Sequence, residues 1–91
     1  MEVRLYSFLR LQAGTRSVAI ELAHPFPLNE VLEMIAHKHT KLGASILAAD
    51  GQPAEHLVVT INGTQWQRSK DALPLVQNGD VIDLILAIGG G

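Results

Sequence analysis

The segment Val81-Ile82-Asp83-Leu84-Ile85-Leu86-Ala87-Ile88 constrains the fold of this chain more than any other. Its apolar residues fall at both even and odd positions, so a strand built from it has two apolar faces. Such a strand belongs in the middle of a sheet. Ile82, Leu84, Leu86 and Ile88 then face one layer of the core, and Val81, Ile85 and Ala87 face the other way. Three glycines follow at once, Gly89, Gly90 and Gly91. Glycine has no Cβ, so a glycine stalk enters a channel too narrow for other residues. The pattern offers the α-carboxylate of Gly91 as a reacting group, with Gly89 and Gly90 giving access. The competing reading is a frayed terminus.

The preceding residues supply the rest of a sheet and one helix. Val3 to Leu11 alternates as a strand, with Val3, Leu5, Leu9 and Leu11 on one side and Arg4, Tyr6, Phe8 and Arg10 on the other. Gly14 marks a turn, and Ser17 to Ala23 resumes the alternation, so the two runs read as a β-hairpin. Pro25 and Pro27 stop the second strand. Asn29 is placed to cap a helix whose apolar face carries Leu28, Val31, Leu32, Ile35, Ala36 and His39, with Gly43 closing it. Ala44 to Ala49 has room for a further helical turn. Leu57 to Ile61 reads as a third strand, Asn62-Gly63 as a tight turn, and Thr64 to Trp66 as a short return strand. Strand, strand, helix, strand, short strand, strand is the order of an α+β chain. With right-handed crossovers, its first and last strands lie parallel at the centre of a mixed sheet. This is the β-grasp, or ubiquitin-like, fold: four to five strands on one main helix. Residues 1–88 form the domain and 89–91 a flexible tail.

Size and charge remove several function classes. Ninety-one residues make one small domain. An apolar fraction of 47% suits a packed core, and a net charge of -2 without a basic cluster argues against nucleic-acid binding. No apolar run approaches a membrane span, and the first residues lack a signal-peptide core, so a cytoplasmic protein is expected. Cysteine is absent, which removes disulfides, thiolate metal sites and cysteine nucleophiles together.

Three segments carry a family resemblance. They are Leu9-Arg10 followed by Gly14; Phe26-Pro27 leading into Glu30-Val31-Leu32; and Asn78-Gly79-Asp80, eight residues of strand, then the glycines. On these the chain resembles the small sulfur carriers of the ubiquitin-like proteins, the MoaD and ThiS type. Relatives often have Thr or Ser at the position of Leu28, and a proline or aromatic pair where this chain has Leu86-Ala87. Ile61-Asn62-Gly63 and the tail look more like the thiamine type, while the length and first hairpin look more like the molybdopterin type. The resemblance implies a protein co-substrate, not an enzyme. An ATP-dependent adenylating enzyme would activate the Gly91 carboxylate, and a sulfur donor would convert it to a thiocarboxylate that serves molybdopterin or thiamine biosynthesis. A large synthase subunit is a further implied partner in the molybdopterin case. No cofactor is bound by the carrier; ATP is used by the activating enzyme. Tyr6, Phe8, Ile85 and Ala87 would form the partner-binding patch. Two other functions use the same sequence: a protein modifier joined to lysines through Gly91, and a noncatalytic β-grasp interaction domain.

Other candidates read as structural. His37 and His39, at i and i+2 on a helix, point apart and cannot share a metal ion. His24 and His56 lie in loops without ligand spacing. Trp66 reads as a partly exposed packing residue, and Arg68 with Lys70 as a solvated pair.

Overall fold

The computed structural model describes residues 1–87. Its elements are β1 (Glu2–Leu5), α1 (Ser7–Ala13), β2 (Ser17–Ala19), β3 (Phe26–Pro27) and α2 (Leu28–Lys38). A 3-10 turn (Thr40–Leu42) and α3 (Gly43–Ile46) follow, then β4 (Leu57–Ile61), β5 (Thr64–Gln65), β6 (Leu75–Val76) and β7 (Val81–Leu86). The apolar run forms the central strand over Val81–Leu86; Ala87 lies past it, and Ile88 lies outside the described residues. β7 pairs in parallel with β1 and antiparallel with β4, in a five-stranded sheet of order β2-β1-β7-β4-β5. Ile82 and Leu84 are buried beneath α2, whose apolar face supplies Leu28, Val31, Leu32 and Ile35. This is the β-grasp architecture that the element order predicts. At about 1.5–3 kcal/mol per buried aliphatic side chain, those four helix residues are a large share of a small core.

The first run departs from the expected hairpin. The strand ends at Leu5, Tyr6 stays extended, and Ser7 takes a left-handed φ of 47° where the chain turns into α1. The spacing of buried residues explains the change. Val3 and Leu5 are two apart, as in a strand, but the next buried residue is Leu9, four further on, as in a helix. Leu11, expected to face inward, is 80% exposed. Phe8 therefore sits on α1, not on the outer side of the first strand. β1 and β2 still pair antiparallel, Val3 opposite Val18, but through a connection that contains α1. β2 is also shorter than expected and stops at Ala19.

Helix α2 begins one residue before the expected cap. Pro27 holds the N-cap position with φ -60° and ψ 148°, and Asn29 lies inside the helix. No side chain caps it; instead the Leu28 N–H donates to the Pro74 carbonyl at 2.9 Å. That bond belongs to a second, two-stranded sheet of β3 and β6, which the sequence pattern does not announce. At the other end His39 closes α2, and Gly43, with φ -44°, opens α3 instead of terminating the main helix. No polar or charged residue is buried among the described residues.

Candidate functional site

The sheet has one face under the helices and one face open. On the open face lie Glu2, Arg4 and Tyr6 from β1 and its extension, Asp83 and Ile85 from β7, and Val58 and Thr60 from β4, as the alternation of buried positions requires. Asp83 stands at the middle, opposite Arg4 on one side and Thr60 on the other. Its Oδ1 accepts a hydrogen bond from Tyr6 Oη at 2.7 Å, and its Oδ2 accepts one from Thr60 Oγ1 at 2.9 Å. Arg4 Nε lies 3.6 Å from Glu2 Oε1, both side chains half exposed, a geometry that contributes little to stability. The Tyr6 hydroxyl, then Glu2 and Asp83, raise the pKa of the Arg4 guanidinium above its ordinary value, so it stays charged.

Beyond Asp83, towards the end of β7, the face becomes apolar. Ile85 is 37% exposed, Phe8 on α1 is 43% exposed, and α1 packs against β7. Ala87 is exposed just past β7, and its N–H donates to the His56 carbonyl at 2.8 Å, so the sheet's hydrogen bonding continues to that residue. Tyr6, Phe8, Ile85 and Ala87 thus occupy the β7 end of the molecule together. Tyr6 also carries a hydrogen bond that its sequence position does not reveal. Gly89, Gly90 and Gly91 lie outside the described residues.

Beside Ala87 is a shallow groove of about 430 Å³, lined by His56, Val58, Trp66, Arg68 and Ala87 among others. Trp66 packs against the core and donates Nε1–H to the Ala72 carbonyl at 3.1 Å, a packing role. Arg68 is not a solvated partner of Lys70. Its guanidinium donates to the Pro53 and Ala54 carbonyls at 2.8 and 2.6 Å and lies 5.1 Å from the Trp66 ring centroid. Nothing in the local sequence marks this role, because both carbonyls come from a loop some fifteen residues earlier. No group of three or more His, Asp or Glu side chains suited to a metal ion forms among the described residues. None of the helices there is long and apolar enough to cross a membrane.

The ThiS family model matches residues 3–91, nearly the whole chain and through the glycines. The chain belongs to the ThiS family. Solved structures agree with this membership. The crystal structure of small archaeal modifier protein 1 (SAMP1) from Haloferax volcanii superposes with a TM-score of 0.82 at 25% identity, covering 99% of this chain and 97% of that one. Urm1 from Sulfolobus solfataricus gives a TM-score of 0.69 at 26% identity, over 94% of this chain and 99% of the other. A chain of the Amycolatopsis orientalis BexX/CysO complex gives 0.76 at 22% identity, over 99% and 98%, a likeness of fold. No curated protein sequence matches the chain. The ThiS family comprises small ubiquitin-like proteins, and this member's sheet, helix and open face are of that kind.

Proposed function

We propose that this chain is a sulfur carrier that works through the carboxylate of Gly91. The observation that carries the reading is the ThiS match running to residue 91, so that the three glycines fall within the family's pattern. The chemistry explains why the carrier needs no catalytic side chain. A carboxylate with a pKa near about 3.5 is ionised at neutral pH and resists attack by a nucleophile. In the proposed cycle it attacks the α-phosphorus of ATP, diphosphate leaves, and an acyl-adenylate forms on the activating enzyme. The sulfur of a donor then attacks the acyl carbon and AMP leaves. With a persulfide as the donor, the product of that attack is an acyl disulfide. A second thiol attacks its donor-side sulfur, the S–S bond breaks, the thiocarboxylate leaves with the electron pair, and the two thiols end as a disulfide. The enzyme holds the ATP; Gly89 and Gly90 give the tail its narrow reach, and Tyr6, Phe8, Ile85 and Ala87 dock. A cytoplasmic setting, a molybdopterin or thiamine acceptor, and pairing with a large synthase subunit belong to the same proposal.

Mass spectrometry tests it. Incubated with an adenylating enzyme, ATP and a sulfur donor, the chain should gain the mass difference between sulfur and oxygen at its terminus. Unchanged formation of that product after deletion of Gly90 and Gly91 would sink the reading. A second reading has its own support, in the 25% identity with small archaeal modifier protein 1 across 99% of the chain. In that case the activated Gly91 joins target lysines, and slow-migrating conjugates appear in cell extract in place of the thiocarboxylate. Full biological activity with a bulky C-terminal tag would rule out both and leave a noncatalytic interaction domain.

A further inference from the structure

Aspartate is disfavoured within strands, yet Asp83 sits in the central one on its solvent side. Arg4 stands opposite it on β1 and supplies a complementary charge, but no direct ion pair with Asp83 forms. Both of its oxygens are instead committed to hydroxyl groups, those of Tyr6 and Thr60. Tyr6 lies one residue past β1, and its amide donates to the Leu84 carbonyl at 3.3 Å, which sets it level with Ile85. To place its hydroxyl on Asp83, the side chain runs back along β7 by two residues, about 7 Å. An aromatic side chain at a strand end otherwise samples several rotamers. Here the charge-assisted bond to Asp83 selects one, laid along the open face from the level of Ile85 to that of Asp83.

We infer that Asp83 is a positioning residue that holds the Tyr6 ring as a preformed aromatic anchor for the adenylating enzyme. The inference rests on the carrier reading. Reach identifies the occupant. Four residues separate Ala87 from the end of Gly91, a span of at most about 14 Å. An enzyme that grips the carboxylate of Gly91 brings its own surface within that distance of Ala87. Ile85 lies near that end of β7, the Tyr6 backbone is level with it, and α1, which carries Phe8, packs against the same strand, so the Tyr6 ring falls within the enzyme's footprint. Aromatic anchors dominate such interfaces, and one already fixed before encounter loses less freedom on binding.

Steady-state adenylation of the full chain, with chain concentration varied, tests the inference. Asp83→Ala and Tyr6→Phe should each raise KM about 3- to 10-fold and leave kcat within about twofold, because the tail is untouched. Asp83→Asn, whose neutral amide oxygen still accepts from Tyr6 but more weakly, should fall between Asp83→Ala and the unsubstituted chain. Thermal unfolding of each variant separates docking from folding, and Tyr6→Phe keeps the ring should Asp83→Ala not fold. An unchanged KM in Tyr6→Phe, or a loss confined to kcat, overturns the positioning role while the carrier reading stands. No adenylation of the unsubstituted chain overturns both.

Discussion

Leu22 lies beyond the end of β2, yet its backbone is paired as if it were in a sheet. The Asn78 side chain does this alone: Oδ1 accepts from the Leu22 N–H at 2.9 Å and Nδ2 donates to the Leu22 carbonyl at 2.8 Å. One amide thereby pins the segment after β2 to the turn that leads into β7. Asn78→Ala should cost about 1–3 kcal/mol in a denaturant titration and speed exchange of the Leu22 amide. Equal stability and unchanged exchange would show that water replaces the amide without loss. Leu84 gives the contrasting case, fully buried in the central strand and without polar atoms to satisfy. Leu84→Ala should cost about 2–5 kcal/mol by the same measurement, more than any substitution on the open face.

Two glycines at helix ends invite the same substitution and should give opposite results. Gly14 follows α1 with φ 73°, and its N–H donates to the Arg10 carbonyl; Gly43 starts α3 with an ordinary helical φ of -44°. Neither has an atom within 4 Å of where a Cβ would stand. Space therefore does not separate them, and backbone conformation does. Gly14→Ala should lose about 1 kcal/mol to left-handed strain, whereas Gly43→Ala should gain about 0.4–1 kcal/mol by narrowing the unfolded ensemble. Thermal melts of the pair check both signs at once. Element by element, the sequence pattern succeeds where one period holds throughout. Leu57 to Ile61 is found as the strand the pattern predicts, and the buried face of α2 is the one expected. It fails where the period changes within a run, as between Leu5 and Leu9. It also fails where the stabilising partner is far along the chain: Pro74 at the start of α2, Pro53 and Ala54 under Arg68, Tyr6 on Asp83. Of the candidate site, Ile85 and Ala87 are legible in the alternation of the last strand, while Tyr6 and Phe8 are legible in that of the first run, in which Phe8 proves to lie on α1. Asp83 draws no reading of its own from the sequence, because its meaning comes from two neighbours brought by β1 and β4.

The sheet sets the first and last strands of the chain side by side. Residues 2–5 pair with 81–84, and β4 meets only β7 and β5, so the β1–β2 and β4–β5 pairs do not touch without β7 between them. The strand pairings of the described residues run no further than residue 86, short of Gly90 and Gly91. Deleting both should therefore leave the thermal midpoint within about 1 °C of the full chain, well below the shift that 1 kcal/mol produces in a domain this size. The same deletion should abolish the thiocarboxylate, separating the fold from the proposed chemistry in a single variant. The late position of β7 also bears on synthesis. A ribosome releases both neighbours of the central strand, β1 and β4, before β7 itself, and pairing of such distant segments is slow. A nascent chain has no completed sheet until residues 81–86 emerge, and the glycines are translated only after them. A product cut short before residue 81 therefore lacks the central strand and, with it, the glycines on which the proposed carrier chemistry depends.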